Sequence, residues 1–229
     1  MLSAIIVAGG SSQRMGFDKL FAVIADEPVI VHAIRAFEGA SSVSEIIVVG
    51  REERHDEIRK ITSRARFEKI RAIVPGGERR QDSVRAGLDR INHDVKYVAV
   101  HDAARPLIIP EQIERAFEQC CVHGAAALAQ PVNDTLKRAE ADLLVVDSVD
   151  RHQLYAMQTP QIFERKLIED AYGDVYAENA SVTDEVSAVE RLGRKIALVL
   201  NDDFNFKITY PRDFPVADFI LRERAKNRR

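Results

Sequence analysis

The first stretch that could do chemistry is a glycine-rich loop that follows a short apolar run at residues 4–7. The loop contains two adjacent glycines, two serines and a third glycine, together with two cations, Arg14 and Lys19. Glycines leave backbone N–H groups free to bind an anion, and the two cations add positive charge. The composition therefore predicts a phosphate-binding loop.

Two common phosphate chemistries do not fit this loop. A P-loop needs Lys and Ser or Thr directly after its last glycine, whereas Gly16 is followed by Phe17 and Asp18. The dinucleotide pattern Gly-x-Gly-x-x-Gly is absent, and the second predicted strand leads to Gly50 and Arg51 with no acidic ribose anchor. Simple NTP hydrolysis and hydride transfer are therefore disfavoured.

An acidic residue after another predicted strand indicates a different reaction. Asp102 follows the apolar residues 97–100, and one carboxylate can hold Mg²⁺ when nucleotide phosphates supply further oxygens. Arg14 would bind phosphate oxygens as a fork, and Lys19 would act as a point charge. The set suits displacement at the α-phosphorus of a bound NTP, with the cations and the metal stabilising the transition state.

The elements that must position these residues alternate regularly. Strands are predicted at residues 4–7, 46–49, 70–74, 97–100, 125–129 and 196–200. Helices are predicted at residues 28–37, 52–63, 83–91 and 110–122, the third capped by Asp82 or Ser83. This alternation predicts an α/β fold with a Rossmann-like, mostly parallel sheet flanked by helices on both faces. Ligands of such sheets bind at the carboxyl ends of the strands.

The alternation breaks after the fifth strand. Residues 135–138 and 143–149 form a strand-like pair around a polar turn, and residues 159–163 are expected to lead into a helix that ends near residue 172. Because a lone hairpin is marginally stable, we expect a second subunit to support it. We therefore predict one domain over residues 1–229, with residues 133–156 as a protruding β-arm that mediates homodimerisation. Two helices follow, one capped by Ser181 or Thr183 and one from Pro211.

Composition limits the partners. The chain is 46% hydrophobic and 30% charged, which is typical of a globular protein, and its net charge of −3 offers no basic field for nucleic acid. It has no apolar run of about 18 residues that could span a membrane. Its two cysteines, Cys120 and Cys121, are adjacent and lack metal-ligand spacing. We expect a cytoplasmic protein that contacts neither nucleic acid nor membrane.

The glycine loop, Gly-Gly-x-Ser-x-Arg-Met-Gly-x-Asp-Lys, resembles the sugar-nucleotidyltransferase superfamily, and later motifs narrow the resemblance. These motifs are, in order, Gly76-Gly77-x-x-Arg-x-x-Ser83-Val84, His101-Asp102-Ala103-Ala104-Arg105-Pro106, Pro131-Val132-x-Asp134-Thr135-x-Lys137, Arg151-x-x-Leu154, Gln158-Thr159-Pro160-Gln161-x-Phe163, Thr183-Asp184-Glu185 and Asn205-x-Lys207-Ile208-Thr209. Together they are similar to the 2-C-methyl-D-erythritol 4-phosphate cytidylyltransferase family. The resemblance implies Mg²⁺-dependent transfer of CMP from CTP to the phosphate of 2-C-methyl-D-erythritol 4-phosphate, with pyrophosphate released, in non-mevalonate isoprenoid synthesis.

The resemblance also implies which residues bind the nucleotide. Arg14 and Lys19 would stabilise the pentavalent phosphorus, and Asp102 would bind Mg²⁺. Ala103 and Arg105 would lie near the ribose and the sugar phosphate. The residues implied to wrap CTP, cytosine and ribose are Ala8, Gly9, Gly10, Ser11, Gly76, Gly77 and Ser83.

The acceptor side is implied in the same way. Arg151 and Lys207 would orient the incoming phosphate, and Thr159 and Thr183 would donate hydrogen bonds. Thr135, on the hairpin, would reach the site of the partner subunit. No general base is needed, because a phosphomonoester with a second pKa of about 6 is already mostly dianionic near neutral pH. Catalysis would then consist of positioning and electrostatics.

Several alternatives remain open. Asp203 is either a second metal ligand or a loop acid, Thr183 is a helix cap, a ligand or both, and His101 is expected to serve structure. The segment between Arg14 and Lys19 is shorter than is usual in the family, which leaves the reach of Lys19 open. The alternative functions are a cytidylyltransferase for another polyol phosphate, such as ribitol 5-phosphate, and a non-catalytic nucleotide-binding regulator.

Overall fold

The structure is a computed structural model that describes residues 1–10 and 15–227 of the chain. The predicted site residues Ser11 and Arg14 lie outside the described residues. Strands and helices are numbered in chain order. The strands are β1 Leu2–Ala8, β2 Val23–Ile24, β3 Glu27–Pro28, β4 Val43–Gly50, β5 Ile70–Pro75, β6 Tyr97–Asp102, β7 Ala125–Pro131, β8 Leu136–Ala139, β9 Val145–Val149, β10 Tyr155–Glu164 and β11 Ala197–Leu200. The helices are α1 Val29–Gly39, α2 His55–Arg64, α3 Arg80–Leu88, α4 Pro110–His123, α5 Arg165–Ala177, α6 Glu185–Glu190 and α7 Asp213–Asn227.

The central sheet of the described residues has seven strands in the order β11-β7-β10-β6-β1-β4-β5. All neighbours pair in parallel except β10, which is antiparallel to both β6 and β7. Adjacent residues of β1 face opposite layers: Ile6 packs in the same cluster as Ile34 of α1, and Ile5 in the same cluster as Val84 of α3. A strand covered on both faces requires an unbroken apolar run, which is why β1 was recognisable from the sequence. The prediction of a mostly parallel sheet between two helical layers is confirmed.

The strand β10 was not predicted, and the helix that was expected to end near residue 172 runs from Arg165 to Ala177. Pro160 lies inside this strand and argues against a central position, because proline cannot donate to a ladder. The pairing of β10 with β7 shifts register between Met157 and Gln161, so the proline lies where the ladder is interrupted. Because this segment is polar and contains a proline, its sequence did not indicate a strand, although β10 lies in the interior of the sheet.

Two helix starts also differ from the predictions. The helix α3 begins at Arg80, so Asp82 and Ser83 lie inside its first turn and neither is its cap. The cap of α6 is Asp184, whose carboxylate accepts a hydrogen bond from Ser187 N at 2.9 Å, and not Ser181 or Thr183. In both cases the acidic side chain satisfies an N–H group that the helix itself leaves unpaired.

The predicted hairpin is present as β8 and β9, which pair with each other in a separate two-stranded sheet. The tip of this hairpin exposes large apolar side chains, among them Leu143 and Leu144. Its association with a second subunit stays a prediction.

Candidate active site

A cavity of about 360 Å³ opens at the carboxyl ends of β1 and β6. Gly9 and Gly10 follow β1, Asp102 ends β6, and all three line the cavity. This is the edge at which parallel α/β sheets bind their ligands. The glycine loop and the acid that the sequence singled out therefore border the same space.

The turn between β5 and α3 forms another wall, and its shape requires glycine. Gly77 N donates to Ser83 Oγ at 3.2 Å. A Cβ on Gly77 would lie 2.3 Å from Asp82 Cβ, and one on Gly76 would lie 2.7 Å from Ser83 Oγ. A hydrogen bond from the Arg79 guanidinium lowers the pKa of Asp82 to about 2, so this carboxylate stays charged and keeps the turn tight.

Asp102 lies at the centre of a group of cations. Its Oδ1 accepts from Arg80 Nε at 3.0 Å, and its Oδ2 accepts from Lys207 Nζ at 2.8 Å. Arg105 Nε lies 3.9 Å from Oδ2. Burial disfavours the charged carboxylate, but Arg80 and Lys207 outweigh it and hold the pKa of Asp102 well below its usual range. Asp102 is therefore ionised throughout the physiological pH range.

Arg80 also connects the cavity to a buried carboxylate that the sequence analysis did not single out. Its Nη1 and Nη2 bind the two oxygens of Glu185 at 2.6 and 3.0 Å, and the Glu185 side chain is 0% exposed. Tyr172 Oη donates to the same carboxylate at 3.0 Å. Burial raises the pKa of Tyr172, so its hydroxyl keeps its proton and donates. The network joins α3, α5 and α6 behind Asp102.

A chain of hydrogen bonds through Thr159 and His101 holds Asp102 in place. Asp102 N donates to Thr159 Oγ1 at 3.1 Å, and this hydroxyl lies 3.0 Å from His101 Nδ1. His101 Nε2 lies 3.2 Å from the carbonyl oxygen of Arg105, which can only accept, so Nε2 is protonated and Nδ1 accepts from Thr159. Burial lowers the pKa of His101 to about 3, consistent with this neutral tautomer. The prediction that His101 is structural agrees with this arrangement. Thr159 uses its hydroxyl to position Asp102, although it was predicted to donate to substrate.

The loop that holds Lys207 is fixed by polar side chains of β10. Gln158 Oε1 accepts from Asn201 Nδ2 at 3.0 Å and from Asn205 Nδ2 at 3.1 Å. Arg105 Nη1 donates to the backbone oxygen of Asn205 at 2.8 Å. The strand that the sequence analysis missed therefore holds both Asp102 and the Lys207 loop in place.

Lys19 lines the same cavity as Asp102, and its Nζ donates to the carbonyl oxygen of Ile208 at 2.7 Å. The short segment therefore places this lysine at the cavity wall. Of the predicted residues, those that line the cavity are Gly9, Gly10, Lys19, Gly77, Ser83, Asp102 and Lys207. Those that lie directly behind or beside the lining are Ala8, Gly76, Ala103, Arg105 and Thr159.

Four of the predicted residues that the structure describes lie away from the cavity. Thr135 and Arg151 are exposed residues of the 133–156 arm, where Arg151 Nη1 donates to the backbone oxygen of Asn133. Thr183 is exposed before α6, with its Oγ1 3.2 Å from Ser187 Oγ. Asp203 forms an ion pair with Arg224 of α7 at 2.7 Å, and the pair satisfies the charge of this loop acid.

In the part of the chain that the structure describes, no group of three or more His, Cys, Asp or Glu side chains could hold a metal ion. Asp102 nevertheless fits a divalent cation shared with phosphates, because it is ionised, borders the cavity and has further oxygen lone pairs. Such an ion would take its remaining ligands from the substrate and water.

Arg80 and Glu185 each lie within one of the sequence motifs, but the sequence analysis predicted no function for either residue. The available signal was their charge: an arginine in the first turn of a helix and an acid in Thr183-Asp184-Glu185. Their pairing spans 105 positions of sequence, which no local pattern encodes. The structure supplies that partnership.

The fold and the charged cavity together are those of an α/β protein that binds a nucleotide and transfers a group from it. A family model described as "IspD: 2-C-methyl-D-erythritol 4-phosphate cytidylyltransferase" matches residues 2–223. A protein of that name from Caldanaerobacter subterraneus subsp. tengcongensis is 40% identical, over 97% of this chain and 99% of its own length. The one from Pelotomaculum thermopropionicum is 37% identical over 97% of this chain and 95% of its own.

The fold comparison agrees. The crystal structure of 4-diphosphocytidyl-2C-methyl-D-erythritol synthase from Anaerococcus prevotii has a TM-score of 0.85 and 29% identity, covering 97% of this chain and 96% of that one. The chain belongs to the 2-C-methyl-D-erythritol 4-phosphate cytidylyltransferase family, which confirms the resemblance found in its motifs. Among residues 1–10 and 15–227, no helix has the length and apolar character that crossing a membrane requires.

Proposed function

We propose that this chain transfers the CMP group of CTP to the phosphate of 2-C-methyl-D-erythritol 4-phosphate. A phosphate oxygen of the acceptor attacks the α-phosphorus and forms a new P–O bond. The bond between the α-phosphorus and the bridging oxygen breaks, and pyrophosphate leaves with the electron pair. The observation that supports this reaction most directly is the composition of the cavity. It is lined by three cations, by the glycines that follow β1 and by Asp102; the cations are Lys19, Arg80 and Lys207.

On the nucleotide side, Gly9, Gly10 and Lys19 are proposed to bind the triphosphate. These residues line a space in which negative charge would develop as pyrophosphate leaves. Gly77 and Ser83 form the wall proposed for cytosine and ribose, together with Ala8, Ser11, Gly76 and Ala103. Arg14 is proposed to act on the same phosphates as Lys19.

On the acceptor side, Lys207 is proposed to bind the incoming phosphate, helped by Arg105 and Thr183. The acceptor is already mostly dianionic near pH 7, since its second pKa is about 6, so the site needs no base to activate it. What the residues supply is alignment of the attacking oxygen with the α-phosphorus and stabilisation of the added charge.

Mg²⁺ is proposed to bind Asp102 together with phosphate oxygens, with Asp203 kept by Arg224 as a loop acid. When bound, the ion would neutralise phosphate charge and favour the departure of pyrophosphate. Lys207 and Arg80 already contact Asp102, so the carboxylate is held at the cavity edge before any ligand arrives.

We further propose that the chain acts as a homodimer through residues 133–156. The support is the exposed apolar tip, where Leu143 is 84% and Leu144 66% exposed, since a two-stranded hairpin needs a packing partner. In such a dimer, Thr135 and Arg151 are proposed to reach the active site of the second copy. Light scattering should give twice the chain mass of 25.7 kDa; a monomer at assay concentration would contradict the arm proposal alone.

A pyrophosphate-release assay tests the activity. CTP and 2-C-methyl-D-erythritol 4-phosphate with Mg²⁺ should release pyrophosphate and give the CDP-alcohol by mass spectrometry, whereas ATP, GTP and UTP should react far more slowly. Ribitol 5-phosphate serves as the competing acceptor under the same conditions. Turnover with ribitol 5-phosphate alone would overturn the proposed acceptor, and tight CTP binding with no turnover on either acceptor would overturn the proposed catalysis.

A further inference from the structure

Asp18, the residue directly before Lys19, is an acid whose side chain is fixed by ion pairs. The Asp18 side chain is 10% exposed and forms ion pairs with two arginines. Arg51, directly after β4, binds Oδ2 through Nη2, and Arg54 Nε lies 3.2 Å from the same oxygen. Two guanidinium groups thus hold one carboxylate at the edge of the site that is proposed to bind a polyanion.

Asp18 also shapes the turn that contains Lys19. Its Oδ1 accepts from Leu20 N at 3.3 Å, and its backbone oxygen accepts from Phe21 N at 3.3 Å. Leu20 is buried, and the Arg54 guanidinium lies over the Phe21 ring at 5.2 Å. Lys19 is therefore flanked on one side by Asp18, whose side chain is anchored to the segment between β4 and α2, and on the other by the buried Leu20.

The charges explain why such an acid is tolerated beside a phosphate site. An unpaired carboxylate next to Lys19 would repel phosphates and compete for the ammonium group. Arg51 and Arg54 both pair with Asp18 and satisfy its charge, although Arg51 is shared with Glu53 and Arg54 with Glu57. The acid can then act as an anchor without opposing substrate binding.

We propose that Asp18, clamped by Arg51 and Arg54, is a positioning residue that aims Lys19 at the triphosphate. The inference rests on the proposed cytidylyl transfer. It also explains how a loop that is shorter than usual for the family places its lysine at the cavity: the turn is fixed through Asp18, and the Lys19 ammonium reaches the Ile208 carbonyl at 2.7 Å.

The direct test is Asp18→Asn, which keeps the size of the side chain and removes its charge. The expected result is a fall in kcat of about 10- to 100-fold, because a displacement of about 1 Å can cost that much, with little change in the KM for the acceptor. The matched controls are Glu53→Gln and Glu57→Gln. These acids pair with the same arginines, Arg51 at 3.2 Å and Arg54 at 2.8 Å, but not with the Lys19 turn. Both controls should keep wild-type kcat.

A double-mutant cycle separates positioning from a general structural role. If Asp18 acts through Lys19, Asp18→Asn should cost less than about 3-fold further in a Lys19→Ala background, since coupled residues are not additive. Losses that multiply in the double variant would overturn the inference, and so would an Asp18→Asn enzyme with wild-type kcat. Arg54→Gln, which leaves the Arg51 pair intact, gives a second route should Asp18→Asn fail to fold, and it should lower kcat in the same non-additive way.

The same variants keep this inference separate from the proposed reaction. If the wild-type chain releases no pyrophosphate, the proposed function fails, and the cycle is then measured on the dissociation constant of CTP by calorimetry. Non-additive weakening by Asp18→Asn and Lys19→Ala would still support the positioning role. Unchanged CTP binding in Asp18→Asn, where Lys19→Ala weakens it, would overturn that role whatever the reaction is.

Discussion

Replacing Arg80 by methionine should destabilise the fold because it leaves a buried carboxylate without its cation. Glu185 is 0% exposed, and its two oxygens receive charged hydrogen bonds from Arg80 at 2.6 and 3.0 Å. In Arg80→Met only the neutral hydroxyl of Tyr172 remains among these three donors. The loss of Arg80 affects Asp102 less, because Asp102 keeps its ion pair with Lys207 at the cavity edge.

The expected size follows from the cost of stranding a buried charge. Removing one partner of such a pair typically costs about 3–5 kcal/mol of unfolding free energy. A chain of this kind has only about 5–15 kcal/mol in total. For a domain of this length each kcal/mol lowers Tm by about 2–4 °C, so Tm should fall by roughly 6–20 °C.

Urea unfolding followed by circular dichroism measures the loss, and a second substitution tests its origin. In Arg80→Met/Glu185→Gln the buried group is a neutral amide whose oxygen still accepts from Tyr172. At least half of the lost free energy should therefore return. A loss below about 1 kcal/mol in Arg80→Met would contradict the premise that the pair is buried and needed. A double variant no more stable than the single one would show that the stranded carboxylate is not the cause.

Three further predictions concern neighbouring parts of the site. The pKa of His101 is about 3 in the folded chain against an ordinary 6.5, so the unfolded chain binds more protons between these values. The contribution of His101 to the free energy of unfolding is then complete above pH 6.5 and is lost on acidification, by about 2 kcal/mol between pH 6.5 and 5. In urea titrations, the free energy of unfolding of His101→Gln should therefore depend less on pH than that of the wild-type chain. Lys207→Ala should raise the KM for the acceptor phosphate at least 10-fold by losing one charged contact, while calorimetry gives a nearly unchanged CTP dissociation constant. Gly77→Ala should weaken CTP binding and cost about 1–3 kcal/mol of stability by overpacking the turn, whereas Gly173→Ala, where a Cβ meets nothing within 4 Å inside α5, should stabilise by about 0.5–1 kcal/mol in the same unfolding assay.

Much of the fold could be predicted because the buried parallel strands are nearly continuous apolar runs. The residues of β1 and β4 show this pattern, and the glycines and acids that follow such strands must meet at one edge. Gly9, Gly77 and Asp102, which lie at the ends of three such strands, line one cavity as that rule requires.

The rest depends on long-range pairing that local patterns do not encode. The strand β10 contains Pro160 and buries Gln158 and Gln161, so neither alternation nor an apolar run marks it. Its polar residues are tolerable only because each finds a distant partner. Gln161, for example, donates to Asp184 Oδ2 at 2.9 Å and accepts from Glu185 N at 3.1 Å. A buried amide without such partners would be costly, so the strand can be understood only together with the loops it holds.

These partners show why an antiparallel strand interrupts a parallel sheet next to the site. Thr159 supports Asp102, Gln158 fixes the loop of Lys207, and Gln161 fixes the start of α6, from which Glu185 binds Arg80. One strand therefore positions the acid and two of the cations that surround it. In the described residues Asp102 and Glu185 face Arg80, Arg105, Lys207 and Lys19, which leaves an excess of positive charge that a triphosphate and a second phosphate together would exceed. A divalent cation beside Asp102 would reduce that imbalance, which is the electrostatic reason for including Mg²⁺ in the proposed reaction.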